Sequence, residues 1–259
     1  VLLIAGPCSL ESLDQVKPIV SLMKTHGLSI MRAQLFKPRT SPESFQGLGD
    51  QGLPIIDYLL EENMRLVCEV GSVEQLRFVS PFASVIQIGA RNMQNFELLK
   101  QLGTYYTDQK RQAPFVMIKR GFSHNLEEWL SAARYVERSG IPASKIILCE
   151  RGTRNAAAPS GVTIDFAIAL LAKKRSPYKV IIDPSHGTKD RELVLPMAKL
   201  AMQSFFDGLM IEIHPRPDES WSDARQAVGL EAFELFLQEN KEGLKLHNLI
   251  SEEIVRSYH

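Results

Sequence analysis

Six cations recur where apolar runs give way to polar residues. They are Arg32, Lys37 and Arg39 in "MRAQLFKPRTSP", Arg91 in "QIGARN", Lys119 in "VMIKRG" and Arg151 in "LCERG". Arg offers a flat fork of donors that matches phosphate or carboxylate at two points, and Lys offers a compact charge. Gathered on one surface with nothing between them, six cations repel one another and destabilise the fold. Their joint use is to hold anions, phosphate above all, and six suit two phosphorylated ligands better than one. Taken singly, each also fits a solvated loop residue, so the inference rests on convergence. Gly89, just before Ala90-Arg91, is expected to leave room for the backbone to approach such an anion.

A second set is Cys8 in "AGPCS", His186 in "IDPSHGT", Glu212 in "MIEIHP" and Asp223 in "SWSDARQ". One thiolate, one imidazole and two carboxylates suit a divalent first-row metal (Mn, Fe, Co or Zn) better than Mg or Ca. The spacing matches no local zinc pattern. The plain alternative is a packed thiol, a hydrogen-bonded imidazole and carboxylates that cap helices. Asp183 and His214 belong to the same motifs, where each either supports a ligand or takes part in catalysis. Glu69, in "VCEV", is a further carboxylate at the end of an apolar run.

The elements that must position these residues follow from the apolar pattern. Short, nearly continuous apolar runs begin at Leu2, Leu28, Leu66, Val85, Phe115, Ile146, Val180 and Leu209. Such runs fit parallel strands buried on both faces. Helical patterns fill the gaps. Ser12 to Gln15 reads as a capping box, followed by Val16, Ile19, Val20 and Met23 at helical spacing, with Gly27 as the stop. Pro18 is expected to bend that helix. Asn125 opens a second, with Leu126, Trp129, Leu130, Ala133 and Val136 on one face. Eight strands alternating with helices predict an α/β fold, a (β/α)8 TIM barrel over residues 1–240. A doubly wound open sheet is the alternative, but "AGPCSLES" is not its glycine-rich turn. Residues 241–259 form a C-terminal extension: an added helix, an oligomer contact or the stub of a further domain.

In a barrel, chemistry collects where strands end. That rule brings the six cations to one rim. Closure makes the strands that end near Cys8, His186 and Glu212 neighbours. Cys68 and Cys149 are expected to pack in the barrel. If the second strand stays extended, Lys37 and Arg39 share one side and Arg32 points to the other.

The 259 residues carry 30 basic and 30 acidic side chains. This balance leaves no general attraction to nucleic acid or a membrane surface. No apolar run reaches spanning length, and the apolar start "VLLIAGPC" has no basic leader. Three cysteines cannot all pair within the chain, which points to a reduced, cytoplasmic protein.

The ordered motifs "AGPCSLES", "FKPRTSPESFQGLG", "QIGARNMQNFELLK", "IKRGFS", "CERG", "IDPSHGT" and "GLMIEIHP" resemble the 3-deoxy-D-arabino-heptulosonate 7-phosphate (DAHP) synthases of the short microbial subgroup, type Iβ. The resemblance runs from about Leu2 to Leu237. It implies a TIM barrel that condenses phosphoenolpyruvate with erythrose 4-phosphate, the first step of the shikimate pathway. It implies metal ligation by Cys8, His186, Glu212 and Asp223. It assigns phosphoenolpyruvate to Arg32, Arg91, Lys119 and Arg151, and erythrose 4-phosphate to Arg39 and Thr40. Lys37 stands between the substrates, and Glu69 positions the water or the phosphoenolpyruvate carboxylate. It further implies a homo-dimer or homo-tetramer and a possible fused or associated chorismate mutase. Two departures stand out: Ala33-Gln34 replaces the family's usual two glycines, and "TRNAAAPSGVTID" replaces a threonine- and arginine-rich segment. The sibling 3-deoxy-manno-octulosonate 8-phosphate synthases, which use arabinose 5-phosphate, carry an Asn-Arg-Ser-type segment where this chain has "KPRTSP". A non-catalytic barrel acting as a regulatory subunit is the reading from another class, and the intact metal and cation sets argue against it.

Overall fold

A computed structural model of the chain describes residues 2–39, 41–109, 112–204 and 206–245. Eight strands form the barrel: β1 Leu2–Gly6, β2 Ile30–Arg32, β3 Arg65–Val70, β4 Ala83–Ile88, β5 Phe115–Lys119, β6 Ile146–Glu150, β7 Lys179–Ile182 and β8 Gly208–His214. Each pairs in parallel with the next, and β8 returns to β1 in the register Leu2↔Gly208 to Gly6↔Glu212. Every strand starts within two residues of its expected position. The surrounding helices are α1 Leu13–Thr25, α2 Leu53–Glu61, α3 Val73–Val79, α4 Phe96–Asp108, α5 Leu126–Arg138, α6 Phe166–Arg175, α7 Arg191–Gln203 and α8 Leu230–Glu239. A one-turn helix, Pro184–Thr188, follows β7, and Lys241–Lys245 is helical after α8. The rest of the C-terminal extension lies outside the described residues.

Local signals account for the helix ends. The Ser12 side chain accepts from the Gln15 amide at 3.1 Å. The reciprocal half of that box lands one residue early, because Gln15 Oε1 accepts from Glu11 N. The Asn125–Glu128 box is complete. Helix α1 runs through Pro18 without interruption. In α5 the expected apolar face is buried, and Trp129 Nε1 donates to the Ile118 carbonyl at 3.1 Å, tying helix to strand.

Strand alternation divides the core in two. One apolar cluster lies between strands and helices and includes Cys68. The other fills the barrel: Leu2, Ile4, Ile30, Val67, Val85, Phe115, Met117, Ile147, Cys149, Ile181 and Met210. Adding two residues to the last inner position of each of seven strands gives Arg32, Glu69, Gln87, Lys119, Arg151, Asp183 and Glu212. A period of two keeps successive odd or even positions on one face. The same inward face is therefore apolar along the barrel and polar, mostly charged, at its C-terminal rim.

For Arg32 this decides which way the side chain points, because the second strand does not stay extended. Strand β2 stops there, and its side chain points inward, 1% exposed. The following segment is not extended. It folds back so that Lys37 N donates to the Gln46 carbonyl at 2.8 Å and Gly49 N to the Leu35 carbonyl at 2.9 Å.

One buried ion pair shapes the rim from outside the barrel. Glu150 Oε2 lies 2.6 Å from Arg120 Nε, and both side chains are buried. Glu150 Oε1 accepts from Gly152 N at 2.8 Å and Asp165 N at 3.3 Å. These bonds hold the turn at Gly152, whose φ of 82° is a left-handed state that suits glycine. Arg151 is thereby held at the rim, and the chain continues into a small antiparallel hairpin, Thr153–Arg154 against Val162–Thr163.

Two outcomes test this architecture. A Cβ on Gly208 would lie 2.5 Å from the Leu2 carbonyl oxygen at the closing seam. Gly208→Ala should cost about 1–3 kcal/mol in denaturant unfolding, and an unchanged midpoint would refute that seam. Burial pushes the Glu150 carboxyl up to about 7 against the pull of Arg120. Folded protein thus keeps a proton that an unfolded Glu loses near pH ~4.3. The associated stability is complete below that pH and is lost as pH rises through about 7. Relative to Glu150→Gln, the native protein should lose roughly 2–4 kcal/mol across that window. Parallel pH curves would refute the assignment.

Candidate active site

The charged rim opens into a cavity of about 420 Å³ at the C-terminal ends of the strands. Lys37, Arg39, Arg91, Lys119, Arg151 and Lys189 line it, against the carboxylates of Glu69 and Asp223. The expected convergence of cations is therefore present, with one exchange. Arg32 lies beneath the cavity, and Lys189 takes a place in its wall. Thr40 lies outside the described residues.

Beneath the cations sits a tight donor cluster. One ligand atom each from Cys8, His186, Glu212 and Asp223 lies within 4.8 Å of all the others. The loop after β1 supplies Cys8, the one-turn helix supplies His186, β8 supplies Glu212 and the loop after β8 supplies Asp223. Asp223 has φ 51°, a left-handed state uncommon outside glycine. Cys8 Sγ donates to Asp223 Oδ2 at 3.0 Å, and His186 Nε2 is 3.3 Å from Glu212 Oε1.

Neighbouring charges hold these atoms in place. Asp183 Oδ2 lies 2.8 Å from His186 Nδ1 and 2.7 Å from Lys119 Nζ. Arg32 Nη2 lies 2.8 Å from Glu212 Oε1, and Gln226 Nε2 donates to Glu212 Oε2 at 2.6 Å. Lys37 Nζ touches Cys8 Sγ and lies 3.1 Å from Asp223 Oδ2, while Arg39 Nη1 lies 3.2 Å from Asp223 Oδ1.

The titration of these groups follows from burial set against charge. Burial lowers the His186 pKa, which favours a neutral ring. With Nδ1 engaged by Asp183, Nε2 faces the other donors, the arrangement of a metal-bound imidazole. Burial alone would raise Asp183, but His186 and Lys119 outweigh it and hold the carboxyl well below its usual range. Burial likewise opposes ionisation of Glu212 and Asp223. His186 and Arg32 offset it at Glu212, and Lys37 and His186 do so at Asp223, so both carboxyls are lowered. Burial and Glu212 push the Cys8 thiol up, with Lys37 opposing. A cation seated among the donors relieves the cost that burial imposes on the thiolate. By donor chemistry and mutual reach, the cluster fits a divalent metal.

Other expectations resolve differently. His214 does not reach the cavity. Its Nε2 lies 3.3 Å from Glu11 Oε2, and its Nδ1 accepts from Arg216 N at 3.0 Å. Glu11 also accepts from Trp221 N, so His214 braces the loop that carries Asp223. Gly89 lines the cavity, but the space beside its Cα is taken, because a Cβ there would lie 2.0 Å from Glu69 Oε1. The Glu69 carboxylate fills that space and accepts from Gln87 Nε2 at 2.5 Å. Gln34, one of the two departures, is buried and accepts from the Glu69 backbone amide. Sequence reasoning missed Lys189, Phe122 and Gln226 in the lining, and the Glu150–Arg120 pair behind it. The pair and Phe122 lay within the motifs "IKRGFS" and "CERG"; Lys189 had no local signal.

The DAHP synthetase I family model matches residues 1–246. The phospho-2-dehydro-3-deoxyheptonate aldolase of Thermotoga maritima is 38% identical over 243 residues, covering 92% of this chain and 68% of that protein. A crystal structure of that DAHP synthase superposes with a TM-score of 0.84 at 37% identity, covering 93% of this chain and 68% of the other. A truncated form of the Thermotoga maritima enzyme gives 0.80 at 33% identity, covering 93% and 85%. The 2-dehydro-3-deoxyphosphooctonate aldolase of Cupriavidus taiwanensis is more distant, 25% identical over 93% of this chain and 88% of that protein. A closed barrel with a cation-lined rim and a Cys-His-Glu-Asp cluster is thus joined to a match along nearly the whole chain, and the chain belongs to the DAHP synthetase I family.

Proposed function

We propose that the protein condenses phosphoenolpyruvate with erythrose 4-phosphate and water, giving 3-deoxy-D-arabino-heptulosonate 7-phosphate and inorganic phosphate. The observation that carries this reading is one cavity lined by six cations directly above the Cys8–His186–Glu212–Asp223 cluster. Two phosphorylated substrates need the cations, and the aldehyde oxygen that becomes an alkoxide needs an electrophile. A divalent first-row metal (Mn, Fe, Co or Zn) held by the four donors supplies that polarisation when bound.

The chain's own residues divide the remaining work. Arg91, Lys119 and Arg151 hold phosphoenolpyruvate in the cavity. Arg39, with Thr40, holds the sugar phosphate. Lys37 sits between them, with burial opposing its charge and Cys8 and Asp223 outweighing that effect. Its Nζ donates a proton to the oxygen that develops when the phosphoenolpyruvate methylene attacks the aldehyde carbon. Glu69 orients the water that adds to the carbon bearing the phosphate ester. Phosphate then leaves. Arg32 is 1% exposed and paired with Glu212, so it acts from below, as positive charge that fixes Glu212. Asp183 fixes the His186 ring. We extend the reading to a cytoplasmic homo-oligomer, for which exposed Leu193, Leu200 and Leu235 on α7 and α8 offer apolar surface.

Phosphate release should require both phosphoenolpyruvate and erythrose 4-phosphate, should be much slower with arabinose 5-phosphate, and should stop with a chelator. Release that is faster with arabinose 5-phosphate would reassign the enzyme to the octulosonate class. No release with either sugar by metal-loaded protein would leave only a non-catalytic barrel. Lys37→Ala should lower kcat by about 100-fold or more, the scale of a lost proton donor. Arg39→Ala should mainly raise KM for the sugar phosphate, and an equal rise for phosphoenolpyruvate would refute the division of roles.

A further inference from the structure

Three guanidinium groups meet at one ring. The Cζ atoms of Arg91, Arg151 and Arg154 lie over Phe122 at 5.3, 4.7 and 5.4 Å from its centroid. They come from three places: the turn after β4, the end of β6 and the small hairpin. Phe122 itself stands in the loop after β5. That loop is tied on both sides, since Gly121 N donates to Met93 Sδ at 3.1 Å and Arg154 N to the Phe122 carbonyl at 2.8 Å. Phe122, Arg91 and Arg151 line the main cavity, while Arg154 is exposed beyond it.

A ring has two faces, so at least two of the three cations share one. Like charges that close repel unless something negative lies among them. The negative face of an aromatic ring supplies part of that, Asp183 and Glu150 act on Arg151 as well, and a bound anion adds to both. A leucine of similar bulk fills the space without the charge distribution.

We propose that Phe122 is a positioning residue whose π face holds Arg91 and Arg151 aimed into the cavity as a preformed site for the phosphate of phosphoenolpyruvate, with Arg154 pinning the ring from outside. This rests on the reaction proposed above. It adds a residue that touches the phosphate-binding groups through its ring alone.

Replacing the Phe122 ring with mono-, di- and trifluorinated phenylalanine tests it, because fluorination weakens the quadrupole while keeping the shape. Binding of phosphoenolpyruvate and of inorganic phosphate is measured by calorimetry on the full, metal-loaded chain without sugar phosphate. Affinity for both should fall stepwise, by about three- to tenfold at the trifluoro stage, a range set by the strength of such contacts. The melting temperature should stay constant, and KM for phosphoenolpyruvate should rise while kcat changes by less than about twofold. Phe122→Tyr should bind like the native protein, and Phe122→Leu should bind like the trifluorinated one. Equal affinity across the fluorinated series overturns the proposal, as does a native protein that binds neither anion. Ring-dependent binding without turnover on any sugar supports the anion site and overturns only the reaction.

Discussion

Buried charge must be paired, and that requirement organises this barrel. Lys119, Asp183, His186, Glu212 and Arg32 form an unbroken line across its top, with contacts of 2.7 to 3.3 Å. The residues come from β5, the end of β7, the one-turn helix, β8 and β2, so no single element can shift without leaving a charge exposed to an apolar surrounding. Removing one partner of such a set costs far more than the set contributes, because the others remain buried. The line therefore acts as a gauge of barrel geometry as well as the floor of the site.

The line exists because strand periodicity is shared. Seven of the eight strands present apolar side chains inward along the barrel and one polar side chain inward at the rim. A slip of one residue in β2, β3, β7 or β8 would put a charge among the helices and an apolar residue at the rim. The Leu2↔Gly208 seam sets that register where the chain closes, with Gly208 admitting the Leu2 backbone. Packing and chemistry are thus two ends of one pattern.

Much of this was legible in the sequence. Continuous apolar runs located the eight barrel strands, and polar residues at their ends located Lys119, Arg151 and Glu212. The metal candidates were legible because closure makes first and last strands neighbours. What failed was direction and range. Arg32 would face away only if the strand stayed extended, and whether it does depends on where the chain leaves the sheet. That point is set by bonds such as Gly49 N to the Leu35 carbonyl, which local propensity does not encode. His214 shares inward parity with Glu212, yet Glu11, some two hundred positions away, draws it from the cavity. Gly89 lines the cavity as its place in the motif suggested, but only the folded chain shows Glu69 filling the space beside its Cα.

The short second strand has a wider consequence. Groups assigned to phosphoenolpyruvate stand at strand ends and turns locked to the barrel by paired charge and ladder bonds. Arg39, assigned to the sugar, and Lys37, between the substrates, stand on a loop that has left the sheet and closes mainly on itself. The two halves of the cavity are therefore built with unequal freedom. Change in the loop can alter which acceptor is accommodated without disturbing the core, whereas change at the donor end disturbs both. A scaffold divided in this way can diversify its acceptor sugar while its donor stays constant.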